Sequence, residues 1–109
     1  MVTRNSPTPD AVFRALADPT RRAILGALAR GSQPVGALAQ RFPVSRPAIS
    51  RHLRVLRRAR LVRDRREGRH RVCELTPGPL REVDAWLSHY RRFWQARLAR
   101  LKRHLEADT

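Results

Sequence analysis

The chain has 109 residues, which is enough for one domain with a modest core. Its 24 basic residues against nine acidic ones leave a formal net charge of +15, so the expected partner is nucleic acid or an anionic surface. The single cysteine, Cys73, excludes an intrachain disulfide and fits a reducing compartment, and the longest apolar run, residues 23–29, is too short to span a membrane.

Residues 1–8 are polar, contain Pro7 and lack an apolar stretch of signal-peptide length behind Arg4. They are expected to be a mobile tail. Thr8–Pro9 reads as a helix start, because proline at the first helical position gives up no needed hydrogen bond. Val12, Phe13 and Leu16 form the apolar face of this first helix. Asp18–Pro19 repeats the signal with a capping carboxylate, and the second helix is expected to run to about Arg30, with Ile24, Leu25 and Leu28 inward and Gly31 as its stop.

A third short helix is expected over residues 34–42, from the spacing of Val35, Leu38, Ala39 and Phe42, with Pro43 closing it. A turn of three to four residues then leads to Ser45, the cap of a fourth helix, which is the connection of a helix-turn-helix. On that helix Ile49, Leu53 and Leu56 fall within about 60° of one another, while Pro47, Ser50, Arg51, Arg54 and Arg58 lie on the opposite side. One face is core and the other suits phosphates and bases.

Residues 61–66 and 69–75 read as two strands around a Glu67–Gly68 turn. That register sets Arg66 against Arg69, Asp64 against Arg71 and Val62 against Cys73. Like charges then crowd at the tip, a cost that a nearby phosphate would relieve. Pro77-Gly78-Pro79 ends the hairpin and opens a last helix over residues 79–105. Its seam of Leu80, Val83, Leu87, Tyr90, Trp94, Leu98, Leu101 and Leu105 steps by three and four, widened by Trp86 and Phe93. At about 40 Å this helix outruns the small core, so its apolar face calls for another subunit. An aromatic stripe at this spacing reads as interface in preference to an effector pocket.

Charge distribution separates function from coding bias. Only Lys102 among the basic residues is lysine, and GC-rich coding inflates arginine everywhere. Residues 45–71, however, hold 11 arginines against Asp64 and Glu67, a net +9, whereas residues 1–44 net +4 and residues 72–109 net +2. No glycine-rich phosphate loop, GxSxG or HExxH motif is present and the carboxylates are scattered, so an enzyme is not expected.

Three stretches together resemble the ArsR family of bacterial winged helix-turn-helix repressors: LADPTRRAILGAL (residues 16–28), VSRPAISRHLRVL (residues 44–56) and LVRDRREGRHRVCEL (residues 61–75). The carboxy-terminal YRRFWQARLARL (residues 90–101) further resembles a branch without a recognised metal site. The resemblance implies a mainly α fold with a small β-hairpin wing, about five helices and two strands, in one domain over residues 9–106. It implies a homodimeric repressor that binds a palindromic operator and releases it when an effector binds. By the same resemblance the fourth helix enters the major groove with Ser45, Arg46, Ser50 and Arg51 nearest the bases or flanking phosphates, and the outward face read from the helical spacing adds Pro47 and Arg54 to the expected DNA contacts. Arg65, Arg66, Arg69 and Arg71 form the wing, and Phe13 joins Leu80, Val83, Leu87, Tyr90, Trp94, Leu98 and Leu101 at the dimer interface.

The sensor departs from the family's metal-binding members. The stretch aligned with their Cys-x-Cys motif is PVGALAQRF, and Asp84, His89 and His104 do not repeat a ligand pair at one-turn spacing. No metal or cofactor is therefore expected, and the effector is left unassigned. The expected partners are double-stranded DNA and a second copy of the chain, in the cytoplasm at the nucleoid. The competing readings are a basic structural protein that coats nucleic acid without sequence preference, and a regulator whose main partner is another protein.

Overall fold

Two side-chain caps set the frame. Asp18 accepts the Arg21 backbone N–H at 3.0 Å and starts helix α2 (Pro19–Ala29), with Pro19 in the first turn. Ser45 accepts the Ala48 N–H at 3.2 Å and starts helix α4 (Arg46–Arg58). Each cap satisfies one of the amide groups that a helix start leaves without a partner. The computed structural model describes residues 9–107, so the tail expected over residues 1–8 lies outside the described residues.

Helix α1 (Pro9–Leu16) precedes α2 and is fastened to it by arginine. Arg21 donates to the carbonyls of Ala15 at 2.7 Å and Arg14 at 2.8 Å, and Arg22 donates to that of Leu16 at 2.7 Å. The exposed carbonyls at the end of α1 are thereby satisfied. After α2 come strand β1 (Gln33–Pro34), helix α3 (Val35–Gln40), α4, strands β2 (Val62–Glu67) and β3 (His70–Leu75), and helix α5 (Gly78–Ala107).

The core is built from the apolar faces the sequence marks. Val12, Ala15, Ile24, Leu28, Leu38, Ile49, Leu53 and Leu56 are buried, joined by Leu61, Val62, Cys73 and Val83 from the hairpin and α5. Helix α4 ends in a left-handed residue that is not glycine: Arg60 has φ +60°, with Arg60 N–H donating to the Arg57 carbonyl and Leu61 N–H to that of Leu56. This pair of bonds is the Schellman termination. It turns the chain straight into β2.

Three expectations need correction. The sheet has three strands in the order β1-β3-β2, not two, because Gln33 and Pro34 pair with Cys73 and Val72 on the far edge of β3. Proline is tolerated there because β1 is an edge. Helix α3 is correspondingly shorter than residues 34–42, and five residues, 41–45, connect it to α4.

The third correction is the hairpin register. Glu67 pairs with His70, Arg66 with Arg71, Asp64 with Cys73 and Val62 with Leu75, so the turn is Gly68–Arg69. Gly68 has φ +62°. A two-residue hairpin with glycine first in the turn suits the strands' twist, and this register also matches Val62 with Leu75 on the core face. The slip is two residues, so the inward face is unchanged.

Candidate nucleic-acid interface

Helix α4 presents its polar side unobstructed. Ser45, Arg46, Pro47, Ser50, Arg51 and Arg54 are all exposed, while Ile49, Leu53 and Leu56 anchor the opposite face at 0% exposure. The outward residues divide into two stripes. Arg46, Ser50 and Arg54 line a groove of about 760 Å³ shared with Arg69, His70 and Arg71 of the hairpin and residues 34–37 at the start of α3. Pro47, Arg51 and Arg58 point more directly away from the core, at about 100–140° from Arg46 around the helix.

Arg57 also lines this groove, although it is not among the residues expected from sequence. The signal was available: at 100° per residue Arg57 lies about 20° from Arg46 and about 20° from Ser50. Its place beside Leu56, in a run of arginines, hid it.

The wing arginines are not equivalent. Arg65 is committed to the protein itself, with Glu74 at 2.8 Å, Glu67 at 3.1 Å and the Ser32 hydroxyl at 3.2 Å. Arg63 adds a second bond to Glu74 at 3.0 Å, and the hydrogen bonds from Arg63 and then Arg65 hold the Glu74 carboxyl below the usual carboxylate range. Arg71 is bonded to Asp64 at 3.1 Å across a diagonal of the hairpin, within reach of a long side chain. Arg46, Arg51, Arg54, Arg66 and Arg69 have no ion pair with any carboxylate among the described residues. Those five guanidinium groups are electrostatically free for a polyanion. The crowding expected at the wing tip persists as Arg66 opposite Arg71.

His52, at the margin of the apolar stripe, sits between α2 and α4. Its Nδ1 lies 3.8 Å from Asp18 Oδ2 and 3.4 Å from Arg21 Nη1, which makes it an inter-helix contact of the kind expected for a packing histidine. Cys73 is fully buried, and burial, with the Asp64 carboxylate next in importance, pushes its thiol up to about 11. Across the hairpin its partner is Asp64 and not the expected Val62. Such a thiol is unreactive near neutral pH.

The expected dimer residues fall into two groups. Val83 is buried in the chain's own core, Leu80 and Leu87 pack against it, and Phe13 meets Trp86 edge-on with ring centroids 5.3 Å apart. Tyr90, Trp94, Leu98 and Leu101 are exposed, together with Trp86, Phe93 and Leu105. Among the described residues no three His, Cys, Asp or Glu side chains gather as a metal site, and no helix is long and apolar enough to cross a membrane.

Comparison with known proteins gives this surface its context. Residues 16–65 match the family described as a helix-turn-helix domain. The HTH-type transcriptional regulator Rv2034 of Mycobacterium tuberculosis is 52% identical over 87 residues, 80% of this chain and 78% of its own. The transcriptional repressor SdpR of Bacillus subtilis is 37% identical over 79 residues, covering 72% of this chain and 88% of its own. The crystal structure of the ArsR family transcriptional regulator RHA00566 superposes with a TM-score of 0.70 at 38% identity, over 79% of this chain and 94% of that one. A capped basic helix, a hairpin wing and relatives matched over most of their length agree: the chain belongs to the ArsR family of winged helix-turn-helix transcriptional regulators, which bind DNA and are not enzymes.

Proposed function

We propose that this protein is a homodimeric, sequence-specific repressor that grips a palindromic operator with α4 in the major groove and the β2–β3 wing on the adjacent backbone. The observation that carries the reading is the groove in which Arg46, Ser50, Arg54, Arg69 and His70 converge from helix and wing, with three of its arginines unpaired among the described residues. Arginine–phosphate contacts supply most of the affinity. Arg51 and Arg54, both exposed on α4, are the candidates for bidentate contacts to guanine. Ser45, Arg46 and Pro47 lie at the helix start, where backbone amides favour a phosphate. Of the wing residues, Arg66 and Arg69 make phosphate contacts, while Arg65 and Arg71 stiffen the hairpin through their carboxylate partners.

The domain spans residues 9–106, and α5 is its dimerisation helix. Seven large apolar side chains from Trp86 to Leu105 are between 42% and 67% exposed along one helix. Burying them against a second copy removes on the order of 700 Å² from each protomer, the size of a stable interface. Two copies related by a two-fold axis then meet half-sites about one helical turn apart. A protein of this kind acts in the cytoplasm, on the nucleoid.

The reading is tested by replacing Arg51 and Arg54 with alanine and measuring binding to a duplex enriched by the wild-type chain from a randomised pool. Each lost base contact should cost about 1–3 kcal/mol. Undiminished binding by the double variant would remove α4 from the interface. Equal competition by random duplex against the wild type would favour the non-specific coat instead.

A further inference from the structure

A carboxylate stands inside the basic face. Asp64 lies on β2, in a stretch of net +9, and its side chain is only 16% exposed. Its Oδ2 pairs with Arg57 Nε at 3.0 Å, from the last turn of α4, and accepts a hydrogen bond from Arg71 Nη2 at 3.1 Å, from β3. Its Oδ1 accepts a bond from Cys73 Sγ at 3.6 Å. One side chain thus ties α4 to both strands of the wing.

Both arginines that Asp64 holds line the groove. A guanidinium offers five N–H donors in a rigid fork; Asp64 accepts one from Arg71, and it meets Arg57 as an ion pair in which the buried Nε–H makes no hydrogen bond. The remaining donors stay available to a phosphate, on side chains that are already ordered and lose less entropy on binding. The carboxylate also opposes any polyanion approaching the face, whatever its sequence.

We propose that Asp64 is a specificity-determining positioning residue: it fixes the wing against α4 so that helix and hairpin engage one DNA register together, and its charge weakens binding to arbitrary duplex. The proposal rests on the reading of the groove as the DNA site. Its two consequences have opposite signs. Loss of Asp64 strengthens attraction to any duplex through one added net positive charge, and it weakens discrimination because the wing is no longer fastened to the helix.

The test uses the full chain and two probes: the enriched duplex and a scrambled duplex of the same length and composition, titrated at several salt concentrations. Asp64→Asn should bind the scrambled duplex more tightly, while the ratio of affinities for the two probes falls about tenfold, the scale of one lost charge-assisted hydrogen bond. Asp64→Glu keeps the charge and displaces the carboxylate by one methylene. It should leave scrambled-duplex affinity unchanged and still lower the ratio, and it carries the test where Asp64→Asn melts below the assay temperature. Arg54→Ala, measured alongside, should weaken both probes. If it weakens neither, the groove is not the DNA site. If it weakens both while the Asp64 variants keep the wild-type ratio, the assignment of Asp64 is overturned.

Discussion

Trp94→Ala probes the apolar seam on α5 most directly. Trp94 is 42% exposed and has no ring partner among the described residues, so its removal disturbs little within one chain. Of the ~200–250 Å² that a tryptophan can bury, roughly 80 Å² beyond what alanine would cover is open to a partner in this chain. A two-fold interface contains the residue twice, so the substitution forfeits about 160 Å². At ~25 cal/mol per Å² this is about 4 kcal/mol of dimer stability, or roughly a thousandfold in dissociation constant. Sedimentation equilibrium over a wide concentration range reads that constant. Thermal melts should also lose part of their dependence on protein concentration, because a dimer is stabilised by mass action. A Trp94→Ala chain that dissociates within threefold of the wild-type constant would refute the placement of the second copy on this face.

Three smaller perturbations test the fold beneath the interface. Leu53→Ala, at a fully buried position of α4, should cost about 2–5 kcal/mol in urea unfolding, since it opens a cavity directly behind the DNA-facing helix; a loss under 1 kcal/mol would mean that the site collapses freely. Arg60→Gly should stabilise the chain by roughly 0.5–1 kcal/mol, because φ +60° suits glycine better than arginine. No gain in melting temperature would contradict that conformation. The Cys73 thiol, raised from 9.0 to about 11 by burial, stays neutral in the fold, so its contribution is complete below about pH 9 and is lost as pH rises through about 11. Iodoacetamide at pH 8 should label the unfolded chain quickly and the native chain hardly at all; equal rates would place the thiol at the surface.

Much of the candidate site was legible because its signals are local. The Ser45 cap, the spacing of Ile49, Leu53 and Leu56 and the Arg stripe are all set within one or two turns of a helix, where a hydroxyl can reach an amide three residues on. The hairpin was legible only to its existence. Glu67–Gly68 and Gly68–Arg69 both offer a glycine turn, and a two-residue slip keeps the same face inward, so alternation could not choose between them. Strand β1, two residues long and ending in proline, carries no periodicity at all.

By itself the sequence determined the helices, their caps, the buried face of α4, the concentration of arginine in residues 45–71 and the family resemblance. These rest on periodicity and short-range hydrogen bonds, which need no knowledge of what lies across the fold. Tertiary structure alone decided which arginines are spent on the protein's own carboxylates and which stay free. Arg65 and Arg66 are neighbours in the chain with the same side-chain chemistry. Arg65 points to the face that holds Glu74 and Ser32, while Arg66 forms no ion pair with any described carboxylate. The same alternation gives Asp64 its role, because Arg57 arrives from α4 and Arg71 from β3, and only the packing of helix against hairpin brings both within 3.1 Å of one carboxylate oxygen.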